Sequence, residues 1–230
     1  MFYFHGTRKP NFKNINILDY DKYWDHQAPV LRKKLREREY IFIDLIKPGS
    51  KVLDIACGMS PFLIKLKQQK NCSVTAFDIS QKAIEQQKTE SIQGEVHDIS
   101  SVDFELNKNY DYIVLSEIVE HLVYPERLIN KIKNKTKYLL ISFPNSDFYR
   151  YRLGLFFGGR FFTQWAYHPS EHLRFWSHID FLDWLDAMGL EIVKYQASNG
   201  LTIGPIKFYK IWLNLLGHQI CYLVKIKLKK

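Results

Sequence analysis

The sequence predicts an α/β fold with a mostly parallel sheet that is covered by helices on both faces. Short apolar segments with strand character alternate with helical segments between residues 51 and 143. The first such segment, Val52–Ile55, runs directly into a turn of small residues and then into a helix. The chain has 230 residues, of which 46% are hydrophobic and 15% aromatic, so it can form one domain with a full core.

The first 50 residues are expected to form a helical cap on this domain. Residues 1–28 are rich in aromatic side chains and show no regular pattern. Residues 29–46 are predicted to form an amphipathic helix, whose charged runs 32–34 and 36–39 mostly face solvent. Lys47-Pro48-Gly49 ends this helix. Its apolar face consists of Leu31, Leu35, Phe42, Leu45 and Ile46.

The central part, residues 51–143, carries the strand and helix alternation. Apolar strands joined by helices are typical of a parallel sheet. Ligands of such sheets bind beyond the carboxyl ends of the strands, so the residues that follow each strand are candidates for a site. The predicted strands are 51–56, 73–78, 92–97, 111–116 and 137–143, and the predicted helices are 61–70, 80–90 and 125–134.

Residues 146–176 form a long segment without clear periodicity, rich in aromatic residues and arginine. Segments of this kind are usually lids or binding loops, so a substrate insertion is predicted here, with a hydrophobic subdomain or an oligomer contact as the alternative. Residues 177–230 are expected to complete the sheet of a single domain that spans 1–230. Their last two strands should pair antiparallel, which makes seven strands with a C-terminal antiparallel strand. These elements are helices 177–188 and 205–216 and strands 190–197 and 219–227.

The formal net charge is +9, from 33 basic and 24 acidic residues. Such a charge suits nucleic acid, an anionic membrane surface or phosphorylated substrates, but lysines spread along helix faces favour a simple solvated surface. The three cysteines are widely spaced, which favours a reducing, cytoplasmic compartment and no cysteine metal cluster. No apolar run reaches the length of a membrane span, and residues 1–10 lack a signal core.

Acidic residues stand at the ends of the first three predicted strands. Asp54 lies just before the small-residue turn and should point into the crevice there. Asp78 follows 24 positions later, close to the spacing at which an acid binds a ribose in dinucleotide folds. A carboxylate there could accept hydrogen bonds from both ribose hydroxyls. Asp98 ends the third strand, and the absence of a G-x-G-x-x-G motif argues against NAD.

The stretch 51–60 resembles motif I of the class I S-adenosylmethionine (SAM) methyltransferases, V-L-D-x-G-C-G-x-G. Ala56 and Ser60 replace two of its glycines and Gly58 is kept. The resemblance implies a Rossmann-like methyltransferase fold that binds SAM and its product S-adenosylhomocysteine (SAH). It also implies that Asp98 faces the adenine and that Trp24 folds over the cofactor, with simple packing of Trp24 on the domain as the alternative. The implied cofactor-binding residues are Asp54, Ala56, Gly58, Asp78, Ile79, Asp98, Ile99, Ser116 and Trp24.

Two narrower resemblances cover the second half of the chain. Segments 142–145 and 152–160 look like the MetW family, methyltransferase-fold partners of homoserine acyltransferases in methionine biosynthesis. Segment 171–177 looks instead like the E-H-x-R-F-F-S/T element of many small-molecule and glycan O-methyltransferases. We favour the second: an enzyme that methylates a hydroxyl of a small molecule or of a glycan or nucleotide-linked intermediate. A MetW-like protein partner is the alternative, and a homodimer is also open.

His121 is the predicted general base. It follows the fourth strand, where an acceptor would meet the methyl group, and its unperturbed pKa is near neutral. A structural role at a helix start is the alternative. Glu117 at the same strand end is the second candidate catalytic residue. Rings and guanidinium groups in the later segment suit an acceptor that carries a ring and a phosphate or carboxylate. The predicted acceptor-binding residues are His172, Arg174, Tyr149 and Arg152.

The E-x-x-E-H sequence formed by Glu117, Glu120 and His121 resembles a metal-binding motif. Ubiquinone-pathway O-methyltransferases carry it, as do small-RNA terminal 2′-O-methyltransferases, which use a later histidine as a further ligand. His172 would be that histidine here, and a divalent metal would then bind these four side chains. Because the motif is also common in methyltransferases without a metal, catalysis without one is favoured. RNA methylation ranks last, since the sequence shows no basic groove.

Overall fold

The computed structural model describes residues 19–27, 30–159 and 172–227. Its centre is a seven-stranded sheet, accompanied by a separate two-stranded hairpin. The strands of the large sheet are β1 (Lys51–Ile55), β2 (Ser73–Asp78), β3 (Gln93–Val96), β4 (Tyr110–Ser116), β5 (Thr136–Pro144), β6 (Leu190–Gly200) and β9 (Gly217–Ile226), and the hairpin consists of β7 (Thr202–Ile203) and β8 (Ile206–Lys207).

The strand order of the large sheet is β3-β2-β1-β4-β5-β9-β6. Strands β1 to β5 pair in parallel. Strand β9 inserts between β5 and β6 and runs antiparallel to both. The predicted α/β class, the seven strands and the C-terminal antiparallel strand are therefore confirmed.

Helices cover both faces of the sheet, and the strands alternate accordingly. Tyr112 and Val114 of β4 belong to the core under three helices, whereas Ile113 and Leu115 belong to the core under two others. The helices are α1 (Tyr20–Gln27), α2 (Glu37–Leu45), α3 (Phe62–Lys70), α4 (Gln81–Thr89), α5 (Pro125–Ile132), α6 (Tyr149–Gly158), α7 (His178–Ala187) and α8 (Leu213–Leu216). The first core receives side chains of α2, α3 and α4, and the second those of α5 and α7.

The N-terminal cap differs from the prediction in two ways. Residues 20–27 form α1, where the sequence showed no pattern, and α2 begins only at Glu37 rather than near residue 29. The later start follows from a hydrogen bond, because the backbone N–H of Arg36 donates to Glu39 Oε2 at 2.6 Å and fixes the first turn there. Arg38 and Glu39, expected to face solvent, are 6% and 4% exposed.

Two further predictions in the second half were wrong. Residues 149–158 form α6 within the segment that showed no periodicity; among the residues of this helix only Tyr151 is buried, so no apolar stripe marks it. The helix predicted at 205–216 is instead strand β8, a 3-10 turn and the single-turn α8. Gly204 has a left-handed φ of +56°, which together with Pro205 makes the turn of the hairpin. Residues 160–171 lie outside the described residues.

The parallel pairing brings the carboxyl ends of the central strands to one edge of the sheet. Asp54 in β1 lies beside Ala76 of β2 and Val114 of β4. Ser116 at the end of β4 pairs with Ser142 of β5. The polar residues predicted from the strand ends therefore share this edge. None of the helices in the described part of the chain is long and apolar enough to cross a membrane.

Candidate active site

The turn after β1 keeps the backbone shape that glycine would give it. Ala56 has a φ of +61° and Gly58 a φ of +53°, both in the left-handed region. For alanine this conformation costs about 1–2 kcal/mol. Two bonds to the neighbouring strand stabilise it: the N–H groups of Ala56 and Cys57 donate to the carbonyl of Phe77 at 2.8 and 3.2 Å. The alanine therefore replaces a glycine of the motif without removing the turn.

Asp78 joins this turn to the start of α4. Its Oδ2 accepts the backbone N–H of Gly58 at 2.8 Å, and its Oδ1 accepts that of Ser80 at 2.9 Å. Burial nevertheless raises the pKa of the carboxyl above its usual range, because desolvation outweighs these bonds. Ser80 in turn caps α4, since its Oγ accepts the N–H of Ala83 at 3.1 Å.

Helix α1 lies over the turn. The Trp24 ring sits so close that a Cβ on Gly58 would lie 2.6 and 2.9 Å from two of its carbons, so only glycine fits there. The helix is attached to α4 by a hydrogen bond between Ser80 Oγ and Asp21 and by an ion pair between Lys82 and Asp25. Trp24 therefore packs on the turn itself, and its role in covering a bound cofactor stays a prediction.

A buried polar group lies beneath the turn. Asp54 is 3% exposed, and among the described residues its Oδ1 has no hydrogen-bond partner. Burial raises its pKa well above the usual range, and the nearby carboxyls of Glu39 and Asp78 add to this effect. The Nε1 of Trp24 is likewise buried without a partner in the described part of the chain. Each of these atoms could form a hydrogen bond with a ligand.

Charged residues that the sequence placed on a solvent-facing helix, Arg38 and Glu39, lie close enough to Asp54 to act on its charge. Glu39 forms an ion pair with Arg32 and accepts a hydrogen bond from Ser60 Oγ at 2.7 Å. Burial raises the pKa of Glu39, but the Arg32 contact and other hydrogen bonds outweigh it, and the net pKa is lowered. Arg38 Nε donates to Ser116 Oγ at 3.0 Å and so reaches the end of β4. Only the charge density of the run 36–39 could have indicated this polar layer from sequence.

The remaining predicted cofactor residues follow β2 and β3. Asp98 is exposed, and its Oδ1 accepts hydrogen bonds from the N–H and Oγ of Ser100 at 2.9 and 2.6 Å. Ile99 packs against the core, and Ile79 is 47% exposed beside Asp78. That these three residues bind the cofactor, with Asp98 facing the adenine, stays a prediction.

The end of β4 is anchored to β9. The backbone of Glu117 has a φ of +55°, and its N–H donates to the carbonyl of Ser142 at 3.0 Å. Its Oε2 accepts a hydrogen bond from Gln219 Nε2 at 2.7 Å. This contact holds the Glu117 side chain against β9, so a direct catalytic role for it stays a prediction.

Next to it, Glu120, His121 and His172 come together from two distant parts of the sequence. The ring centroids of the two histidines are 4.7 Å apart, and His121 Nε2 lies 3.9 Å from Glu120 Oε1. One ligand atom from each of the three residues lies within 4.8 Å of the others. Burial and the neighbouring His121 lower the pKa of His172 to about 3, so this imidazole is neutral at physiological pH. Of the four predicted metal ligands, these three meet and Glu117 does not.

The other predicted acceptor residues make contacts of their own. Arg174 donates through Nε to the carbonyl of Val123 at 3.2 Å, which keeps it beside the histidine pair. Arg152 forms an ion pair with Asp147, and Tyr149 packs edge-on against Phe148. No described contact brings Arg152 or Tyr149 to His121 or His172. Their role in acceptor binding stays a prediction.

A family profile described as a methyltransferase domain matches residues 23–195. The chain belongs to this methyltransferase family. The match includes the turn after β1, Asp78 and both histidines of the cluster. It confirms the resemblance to class I SAM-dependent methyltransferases, while the MetW-like subtype stays a prediction.

Similar structures agree with this assignment at the level of the fold. A SAM-dependent methyltransferase from Archaeoglobus fulgidus shares 18% identity at a TM-score of 0.61, covering 91% of this chain and 100% of its own. Coclaurine N-methyltransferase, solved with N-methylheliamine and SAH, shares 16% identity at a TM-score of 0.56, covering 81% and 72%.

One characterised relative also matches in sequence. N-methyltransferase 4 of Papaver somniferum is 28% identical over 100 residues, which is 40% of this chain. The match spans only 28% of the length of that enzyme.

The site fits the cofactor that this family uses, which is SAM. Gly58 leaves the turn without a side chain, and the Trp24 ring packs directly against it. The unpartnered Oδ1 of Asp54 could accept a hydrogen bond from the amino group of the methionine part. Asp78 lies at the strand end where the ribose is expected.

Proposed function

We propose that this methyltransferase transfers the methyl group of SAM to a hydroxyl of a small molecule, or of a glycan or nucleotide-linked intermediate. The observation that carries the proposal is that two imidazoles, His121 and His172, meet just after β4, the strand that pairs with β1 and its turn. A neutral imidazole can accept the proton that a hydroxyl loses when it is methylated.

The cofactor half of the site binds and orients SAM. Asp78 would hold the ribose hydroxyls, Asp54 the amino group of the methionine part, and Trp24 would cover the molecule. Bound SAM supplies an electrophilic methyl group, so the protein needs only to position the two reactants and handle one proton. The closed turn under Trp24 would keep water away from the sulfonium.

The acceptor half would then manage the proton. His121 would accept the hydroxyl proton as the oxygen bonds to the methyl carbon and the carbon–sulfur bond breaks. His172 is a neutral partner that faces the His121 ring edge-on. Arg174, fixed to the carbonyl of Val123, would orient an anionic or polar part of the acceptor.

A second candidate is transfer to an amine nitrogen. The relative from Papaver somniferum is named an N-methyltransferase, and so is one of the similar structures. The same histidine pair could accept the proton of an ammonium group. We favour methylation of oxygen because segment 171–177 is similar to a segment of O-methyltransferases. The two candidate functions require different acceptors, a hydroxyl in one and an amine in the other.

Paired acceptors would separate them. The purified chain would be incubated with SAM and with matched sugars that differ only in carrying a hydroxyl or an amine at one position. Release of SAH and the mass of the product are then measured. We expect methylation of the hydroxyl compounds, whereas turnover restricted to the amines would favour the second candidate.

A further inference from the structure

We infer that Glu120, His121 and His172 form a binding site for one divalent transition-metal ion. Each residue offers one ligand atom, and the three atoms lie within 4.8 Å of one another. In a tetrahedral zinc site the ligand atoms are about 3.3 Å apart, so small side-chain rotations would close the set around an ion. The proposed function does not require this ion.

The carboxylate of Glu120 is the strongest indication of a bound cation. The residue is 1% exposed, and within the described part of the chain neither of its carboxylate oxygens has a hydrogen-bond partner. His121 Nε2, at 3.9 Å from Oε1, is beyond hydrogen-bond distance. A buried carboxylate without a partner is costly, and a cation between it and the imidazoles would remove that cost.

The backbone holds the three ligands in place. Glu120 and His121 lie on a 3-10 turn, Val119–His121, directly after β4. The carbonyl of Glu120 accepts the N–H groups of Leu173 and Arg174 at 2.8 and 3.0 Å. The same residue therefore supplies a ligand and anchors the segment that carries His172, which makes the site preorganised.

The donor set points to a particular class of metal. Two imidazoles and one carboxylate suit Zn²⁺, Fe²⁺ and similar ions, whereas Mg²⁺ and Ca²⁺ prefer oxygen ligands. Glu117 would make the set richer in oxygen, but its Oε2 is bonded to Gln219, and it does not belong to the group whose ligand atoms lie within 4.8 Å of one another. Within the described part of the chain there are three protein ligands, which leaves a coordination position for a further oxygen. The His121 side chain is 17% exposed, so the site can be reached.

This inference rests on the proposed function where it concerns the acceptor. If the acceptor hydroxyl occupied the open coordination position, its pKa would be lowered and it would lose its proton more easily. The proton would leave to water, the carbon–oxygen bond would form, the carbon–sulfur bond would break, and SAH would be released. His121 would then act as a ligand rather than as the base, since its lone pair is bound to the metal.

Titration with the metal alone tests the site. Untagged protein, freed of metal with a chelator, is titrated with ZnCl₂ in a calorimeter, and Co²⁺ is added separately to record its visible absorption. We expect one Zn²⁺ per chain and the intense absorption of tetrahedral Co²⁺. Glu120→Gln, His121→Ala and His172→Ala should each weaken Zn²⁺ binding by about 100-fold or more, because even outer-shell changes cost 10–100-fold.

Glu117→Gln is the matched control and should bind Zn²⁺ like the unmodified chain. Circular dichroism would show which variants are folded, and His172→Ala, at a partly exposed position, keeps the test valid if Glu120→Gln fails to fold. The inference is overturned if the chain binds no Zn²⁺, if His172→Ala binds it normally, or if Mg²⁺ binds equally well. Loss of binding in Glu117→Gln would contradict the three-ligand set.

A separate SAM titration keeps the two proposals distinguishable. If the chain binds SAM but does not bind Zn²⁺, the metal site is wrong and the methyltransferase proposal stands. If it binds Zn²⁺ but does not bind SAM, the metal site stands and the methyltransferase proposal is wrong.

Discussion

The two halves of the strand-end edge are built in different ways. In the cofactor half, backbone N–H groups of Gly58 and Ser80 hold the Asp78 carboxylate, and the elements are close in sequence. In the acceptor half, side chains from two distant segments meet, as His121 and His172 do. The first half therefore depends on local backbone shape, and the second on long-range packing. Changes in the first should alter SAM affinity, and changes in the second should alter turnover.

The largest expected effect separates turnover from cofactor affinity. His121→Ala should lower the rate by about 10²–10⁴, the range for a lost general base, and loss of a metal ligand acts in the same direction. SAM affinity should stay nearly unchanged, because the imidazole acts on the acceptor. Single-turnover rates with an accepted hydroxyl compound and calorimetry with SAM measure the two quantities. Full turnover across pH in this variant would remove His121 from the mechanism.

A smaller effect tests the cofactor half through a pair of glycines. Gly58→Ala places a Cβ against the Trp24 ring at φ +53°, whereas Gly49→Ala has φ +74° and no atom within 4 Å. Both should lose about 1–2 kcal/mol in the free energy of unfolding from the left-handed backbone. Only Gly58→Ala should lose more than this and also bind SAM less tightly. Urea unfolding and SAM calorimetry record both properties.

Removal of the clash should reverse part of that loss. In the double variant Gly58→Ala/Trp24→Ala, the free energy of unfolding should recover toward that of Gly49→Ala. Equal stability of the two single variants would show that Trp24 does not lie on the turn.

The smallest effect concerns the scaffold behind the acceptor half. Burial lowers the pKa of His178, whose Nδ1 lies 2.6 Å from Tyr222 Oη and whose ring faces Tyr195. Below about pH 6.5 the unfolded histidine takes up a proton before the folded one does, so stability falls with falling pH. In His178→Asn this fall should be shallower, as thermal unfolding between pH 7 and pH 5 would show. An identical slope in both proteins would contradict a depressed pKa.

Most of the fold could be predicted because its signals are local. Strands and the helices between them are indicated by runs of consecutive residues, and these runs predict all seven strands of the large sheet. Helix α6 was missed because it buries only Tyr151 and has no apolar stripe. The spacing of the apolar residues in 205–216 predicts a helix, but Gly204 and Pro205 form the turn of a hairpin there.

The site could be predicted only in part, for the same reason. Asp54, Gly58 and Asp78 are tied to strand ends, and motif spacing locates them. The burial of Arg38 and Glu39 and their contacts, such as the ion pair of Glu39 with Arg32, could not be predicted, because a charged run in sequence is typical of a solvent-facing helix. Glu117 lies outside the histidine cluster and accepts a hydrogen bond from Gln219. This contact exists because β9 pairs with β5, and no short sequence pattern predicts that pairing.

Calorimetric titration of the purified chain with SAM tests the central claim most directly. We expect SAM and SAH to bind at one site. Asp78→Ala should weaken both by about 1.5–3 kcal/mol, because hydrogen bonds from the ribose to a charged carboxylate are lost. Asp103→Ala, an exposed acid in the loop after β3, is the control and should bind normally. Absence of binding by the unmodified chain, or normal binding by Asp78→Ala, would contradict the account.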